Sequence, residues 1–219
     1  MQANNHPARE VAQYLLQINA IKLNVKNPFT WVSGLRAPIY CDNRRILSFP
    51  EIRKKVAKGL ADLILATYPD VGLVAGVATG AIAHGALVAD LLERPFVYVR
   101  STPKAHGLAS RVEGHAEPGV KTVVVEDLIS TGQSSASAVM ALRDAGLEVC
   151  GMVAIFTYGL DKADDNLRGI SCPFHALSNY EALLDVLVME NKISDQEYNT
   201  LKAWSRDPQG WSDRFNQYN

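Results

Sequence analysis

The sequence predicts an α/β fold: a mostly parallel sheet flanked by helices, with a small N-terminal hood. Three observations carry that prediction. Short apolar runs begin near residues 71, 96, 122 and 149 and alternate with stretches of helical period. Val123, Val124 and Val125 form an unbroken β-branched run, as expected of a strand buried on both faces. Turns of small residues, Gly76 to Gly80 and Ser130 to Ser134, follow two of the runs where a strand hands over to a helix. Right-handed crossovers bring the carboxyl ends of such strands, and the loops after them, to one edge of the sheet.

In chain order, Pro7 to Ile21 has a helical pattern, with Val11, Leu15, Leu16 and Ile18 broadly on one side. From Lys22 to Leu47 the period fails, and Asn27-Pro28, Ser33-Gly34, Ala37-Pro38 and Asp42-Asn43 supply turn chemistry. Short strands fit at Phe29 to Val32 and Pro38 to Cys41. Residues 22–47 read as part of a hood over a site or, equally, as an N-terminal decoration. Ser48 is expected to cap a helix with Pro50 and Glu51 in its first turn and Ile52, Val56, Leu60, Leu63 and Ile64 facing the core. Lys54, Lys55 and Lys58 form its solvated face.

Strands follow at Val71 to Ala75 and Phe96 to Arg100, on either side of a helix from Ala81 to Leu92. Residues 101–119 lack apolar periodicity and mix glycine, proline, histidine and charge, the pattern of a lid or a disordered segment. Beyond the valine run come a helix from Gln133 to Ala145, with Ala136, Val139 and Met140 on one face, and a strand from Glu148 to Tyr158. A short helix from Asp161 to Arg168 and an edge strand from Phe174 to Leu177 are next. Two closing helices end the pattern: Asn179 to Glu190, with Leu183, Leu184, Leu187 and Val188 inward, and Ser194 to Ser205, with Leu201 and Trp204 inward. Trp204 to Trp211 reads as packing. The 219 residues suit one domain, 1–219.

Composition narrows the function. With 22 basic and 23 acidic residues, a net charge of −1 gives no electrostatic case for nucleic acid. Cys41, Cys150 and Cys172 are far apart and odd in number, which suits reduced thiols of a cytoplasmic protein and neither a disulfide framework nor a zinc site. The N-terminus has no apolar core of a secretory signal. The longest apolar stretch, Val71 to Ala89, is broken by four glycines and His84, so no membrane partner is expected.

The chemistry concentrates between Thr122 and Ser135. Free N–H groups at a helix start sit at the positive end of its dipole and suit a phosphate. Ser130, Thr131, Ser134 and Ser135 add hydroxyl donors, and Gly132 lets the chain approach its ligand. Glu126 and Asp127, just before this cradle, cannot serve a phosphate and suit sugar hydroxyls or a hydrated Mg2+. Together they point to a phosphorylated sugar. Gly76 to Gly80 is a second candidate anion loop by the same logic, with close strand–helix packing as the plainer alternative. G-x-x-x-x-G-K and G-x-G-x-x-G are both absent.

The stretch from Val123 to Ser134 resembles the PRPP-binding signature of type I phosphoribosyltransferases, and the wider chain is similar to bacterial members of the orotate phosphoribosyltransferase family. The N-terminal Phe29-Thr30-Trp31-Val32-Ser33-Gly34 and Ala37-Pro38-Ile39-Tyr40-Cys41-Asp42 resemble one family segment. Arg100, Lys104, His106 and Gly107 match the spacing of its catalytic loop, and Val112-Glu113-Gly114 its far end. Phe156 to Gly159 and Leu177 to Tyr180 fit one bacterial branch.

The resemblance implies displacement of pyrophosphate from PRPP by orotate, giving orotidine 5′-monophosphate in pyrimidine biosynthesis. It implies PRPP contacts from Arg100, Lys104, His106, Glu126, Asp127, Leu128, Ile129, Ser130, Thr131, Gly132, Gln133 and Ser134. Catalysis would rest on Lys104, Arg100, His106 and Asp127, and orotate would meet Ser130, Tyr40 and Phe29. Mg2+ would ride on PRPP and reach Asp127 through water. A homodimer would share the catalytic loop, 101–119, between subunits. Several cations of some relatives are missing: Ser101 and Thr102 stand where a second lid lysine occurs, Gly80 and Val32 where a lysine does, and Tyr158 where an arginine contacts orotate. Arg36, Arg44 or Mg2+ are the available compensations. A purine-type transferase is disfavoured by the Phe29 to Gly34 segment. A PRPP-sensing regulator that binds nucleic acid is disfavoured by the charge balance and the intact Arg100, Lys104 and His106.

Overall fold

A computed structural model of the chain describes residues 6–31, 34–102 and 111–218. The order is α1 (His6–Gln17), β1 (Ile21–Leu23), β2 (Phe29–Thr30), β3 (Arg36–Ala37), β4 (Ile39–Cys41), a 3-10 turn (Asn43–Ser48), α2 (Pro50–Thr67), β5 (Leu73–Val77), α3 (Ile82–Leu92), β6 (Phe96–Val99) and β7 (Val112–Glu113). It continues with β8 (Lys121–Ile129), α4 (Gln133–Asp144), β9 (Glu148–Thr157), α5 (Asp161–Arg168), β10 (Phe174–Asn179), α6 (Tyr180–Met189), α7 (Asp195–Arg206) and α8 (Pro208–Tyr218).

Six strands form the main sheet in the order β10-β9-β8-β5-β6-β7. All neighbours are parallel except β6 and β7, which pair antiparallel. Alternation along each strand splits the core in two. Val74, Val123, Val125, Val153 and Ile155 face α1, α2, α3, α6 and α7, whereas Ala75, Val124, Met152 and Ala154 face α4 and α5. The three valines therefore serve both faces, as the run predicts.

The N-terminal segment holds two small antiparallel pairs, β1 with β4 and β2 with β3. Among the described residues, no helix is long and apolar enough to cross a membrane.

Several expected boundaries move for physical reasons. The first helix stops at Gln17, with Asn19 in the left-handed region, and Ile21 joins β1 opposite Cys41. Ser48 closes the 3-10 turn and caps nothing; Phe49 takes the N-cap position and Pro50 begins α2. α4 buries Ser135, Ala138, Val139 and Leu142, while Met140 is exposed. Val188 is likewise exposed. Asn179 caps α6 by accepting from the Ala182 N–H, and Ser194 caps α7 in a capping box with Glu197. The tail after Trp204 is a further helix, α8, which the sequence pattern did not announce.

The candidate active site

β8 is longer than its valine run. It continues through Glu126 and Asp127 to Ile129, so both acids lie within the strand. Alternation turns the two residues toward opposite faces, yet at the open end of the strand their carboxyls hydrogen-bond to each other and line one cavity. Glu126 turns toward α4 and is 4% exposed. Its Oε2 accepts from Ser135 Oγ at 3.0 Å, and its Oε1 accepts from the Asp127 backbone N–H at 3.1 Å. Burial, reinforced by the charge of Asp127, pushes the Glu126 carboxyl well above the usual carboxylate range.

Asp127 turns toward the 78–80 loop and the N-terminal segment. Burial raises its pKa, while the side-chain hydrogen bond with Glu126 and, less strongly, neighbouring His84 and Arg44 act in the opposite direction. Its backbone carbonyl accepts from Asn43 Nδ2 at 2.5 Å, tying the end of β8 to the N-terminal segment. Beneath it His84 is 1% exposed, its Nε2 has no hydrogen-bond partner, and burial lowers its pKa.

Both acids line a cavity of about 380 Å³ together with Asp42, Arg44, Ala78, Thr79, Gly80, Leu128 and Ser134. The helix-start cradle flanks it. Gly132 adopts φ 72°, and α4 begins at Gln133 with no side-chain cap, which leaves its first N–H groups for a ligand. Ile129 is fully buried, backbone included, and its carbonyl accepts from the Tyr158 N–H and Thr157 Oγ1, so it supports the cradle from within and does not meet a ligand. Asn166 Nδ2 holds the cradle from outside by donating to the Thr131 carbonyl at 2.8 Å.

Across Cys41 and Leu128, which line both, lies a second cavity of about 430 Å³ bounded by Thr30, Trp31, Tyr40, Ser130, Thr131 and Tyr158. Its wall is aromatic. Trp31 and Tyr158 lie 4.9 Å apart at 32°, backed by Trp204 edge-on to both. Tyr40 is part of this cavity. Phe29 is not among its lining residues and packs its ring against Tyr40 at 5.8 Å. The Cys41 thiol is 7% exposed and raised by burial, so it is a neutral wall group.

Arg100 sits at the opposite end, lining a narrow space of about 90 Å³ with Val77, Ala78, Ser101, Arg111 and Ser134. Its Nη1 pairs with Glu113 at 3.4 Å. The residues that flank 101–110 meet here, so the expected loop 101–119 ends earlier, at β7: the Arg100 N–H donates to the Arg111 carbonyl at 2.8 Å, and Arg111 Nε donates to the Arg100 carbonyl at 2.9 Å. Lys104 and His106 lie outside the described residues, as do Val32 and Ser33.

Trp31, Tyr158, Arg111, Asn43 and Thr79 belong to this region without having been named as site residues from the sequence. Trp31 stood in the Phe29–Gly34 segment, Tyr158 where some relatives carry an orotate-contacting arginine, and Asn43 and Thr79 in turns; Arg111 had no signal. Among the described residues, no group of three or more His, Cys, Asp or Glu could hold a metal ion.

A mostly parallel sheet with a helix-start cradle and paired acids at its carboxyl edge, beside an aromatic-walled cavity, defines the type I phosphoribosyltransferase class. Comparison with known proteins agrees. No protein-family model matches the chain. It is 53% identical over 203 residues to an orotate phosphoribosyltransferase of Bacteroides thetaiotaomicron, covering 93% of this chain and 96% of that one. The crystal structure of orotate phosphoribosyltransferase from Aeropyrum pernix superposes with TM-score 0.73 at 27% identity, over 84% of this chain and 99% of that one. The structure of Leishmania donovani UMP synthase gives TM-score 0.77 at 27% identity, over 90% of this chain but only 42% of that longer protein. The chain belongs to the orotate phosphoribosyltransferase family.

Proposed function

We infer that this chain transfers the 5-phosphoribosyl group from PRPP to orotate, releasing pyrophosphate and forming orotidine 5′-monophosphate for pyrimidine biosynthesis. The observation that carries the reading is the junction of two cavities across Leu128 and Cys41: an acid- and hydroxyl-lined one beside the α4 cradle, and a flat aromatic one. C1 of the ribose belongs at that junction. The bond from C1 to the diphosphate oxygen breaks as a ring nitrogen of orotate bonds to C1 and releases its N–H proton to solvent, and both electrons of the broken bond leave with pyrophosphate.

In this reading the 5′-phosphate occupies residues 130–134, held by N–H groups of the cradle and by the hydroxyls of Ser130, Thr131 and Ser134, with Leu128, Gly132 and Gln133 contributing backbone and Ile129 packed beneath. Asp127 holds the ribose hydroxyls and supplies negative potential as positive charge develops on the ring, while Glu126, kept protonated by burial, braces it. Orotate stacks in the aromatic cavity between Tyr40 and the Trp31–Tyr158 wall, its polar edge near Ser130. Arg100, Lys104 and His106 take the diphosphate. The part of the 101–119 segment ahead of β7 closes over it as a catalytic loop, excluding water that would otherwise trap the activated ribosyl group.

The donor set fits Mg2+ of the kind carried by a diphosphate. Asp127 presents one hard carboxylate beside the Thr79 hydroxyl and no multi-ligand cage, so the ion would keep its waters and take most ligands from the substrate. When bound it would offset charge on the departing pyrophosphate. We read residues 1–219 as a single domain with 22–47 in a hood over the site, working in the cytoplasm as a homodimer that shares the loop across subunits.

The decisive measurement is the near-UV absorbance of orotate in the presence of PRPP and Mg2+. Its consumption, with stoichiometric pyrophosphate, is expected; turnover of a purine base and none of orotate would overturn the assignment.

A further inference from the structure

The aromatic cavity has a chemical mismatch with its proposed ligand. Orotate carries a carboxylate, yet Thr30, Trp31, Tyr40, Cys41, Leu128, Ser130, Thr131 and Tyr158 line the cavity without a cation. A carboxylate leaving water needs donors, and charged ones serve it best. One guanidinium touches the lining from behind: Arg36 Nη1 donates to Thr30 Oγ1 at 2.9 Å.

Arg36 is held there by the C-terminal helix. Its backbone N–H donates to Ser212 Oγ at 2.9 Å, a hydroxyl that is 2% exposed and so forms part of the α8–β3 junction. Its Nε reaches Asn216 Oδ1 at 3.4 Å. Both side-chain partners are neutral, and no acid of the described residues forms an ion pair with it. A guanidinium has five N–H donors in a planar fork, so donors remain for a carboxylate. Thr30 Oγ1, by accepting from Arg36, keeps its own proton to donate into the cavity.

From this geometry we propose that Arg36, with the Thr30 hydroxyl it orients, forms the carboxylate-recognising edge of the base cavity, and that α8 is the strut that holds Arg36 in place. Arg36 is then the residue that distinguishes a carboxylated pyrimidine from the same ring without the carboxylate. Ser212 and Asn216 act through it as positioning residues. The proposal rests on the reading of the activity as orotate transfer.

Steady-state kinetics on the full chain test it, using wild type, Arg36→Gln, Arg36→Lys, Thr30→Val and Asn216→Leu. Arg36→Gln is expected to raise the KM for orotate about 10- to 100-fold while the KM for PRPP stays within about twofold, because the loss falls on one substrate. Arg36→Lys should restore part of the loss, as a point charge without the fork. Thr30→Val and Asn216→Leu should each cost a few-fold in the same KM. The wild-type preference for orotate over uracil should shrink in Arg36→Gln by the same factor as its orotate kcat/KM. An orotate KM unchanged in Arg36→Gln, or equal losses for orotate and PRPP, would overturn the proposal while wild-type turnover stands. No orotate turnover by wild type would instead remove the activity reading on which it rests.

Discussion

Gly80 faces the Asp127 carboxylate at so short a range that a Cβ on Gly80 would stand 2.6 Å from Oδ1 and nearer still to Oδ2. The glycine is kept here by the acid, since its backbone is outside the left-handed region where a side chain would be strained in itself. A lysine at this position, as in some relatives, would displace Asp127 from its present place. The missing cation and the position of the acid are one structural fact.

Gly80→Ala should therefore act on activity more than on folding. The methyl group must push the Asp127 carboxylate aside, lowering kcat by roughly 10- to 100-fold, which is about 1.4–2.8 kcal/mol of transition-state stabilisation. Thermal unfolding should stay near wild type. A variant with wild-type kcat would show that Asp127 does not work from the position seen here.

Glu126 ties pH to stability. Its carboxyl is raised by burial, so the folded protein keeps a proton that the unfolded chain releases above about the model-peptide value of 4.5. Folding binds more protons in that window, so stability falls as pH rises from about 4.5 to the raised native pKa and is level beyond it. Glu126→Gln, neutral at every pH and still able to accept from Ser135, should flatten that part of a Tm-against-pH curve. A slope identical to wild type would refute the buried-acid argument.

Trp204 is fully buried and stands edge-on behind Trp31 and Tyr158. Trp204→Ala should cost about 3–5 kcal/mol in denaturant unfolding. Trp204→Phe keeps an aromatic buttress and should lose less stability, yet still raise the orotate KM by a few-fold with PRPP little affected. Equal KM values in wild type and Trp204→Phe would detach α7 from the base cavity.

Lys104 lies outside the described residues, and its role follows from the proposed lid. Lys104→Ala should lower turnover by about 10²-fold or more and change PRPP binding far less, since the charge it meets develops on the leaving pyrophosphate. Paired measurements of kcat and PRPP affinity decide this, and unchanged turnover would mean that Lys104 is no part of the lid chemistry.

What the sequence by itself determined is the local grammar. Three consecutive valines required a strand covered on both faces, and the acids followed by Ser130, Thr131 and Gly132 required a cradle at a helix start, because strand alternation and free helix-end N–H groups are set within a few residues. The span of β8 was less legible, since Glu126 and Asp127 look like loop residues until their strand partners at Ala154 and beyond are known. Only the tertiary structure decided which acid faces which neighbour: Glu126 reaches Ser135 and Asp127 meets Gly80, residues brought together by packing on opposite faces of the sheet. Of the base cavity the resemblance supplied Tyr40 and Ser130, but not the wall that joins Trp31, Tyr158 and Trp204, nor the bracing of Arg36 by Ser212 and Asn216 from a helix the periodicity did not announce. Contacts between such distant positions leave no period in the chain, because they are fixed by how elements pack and not by how each one forms.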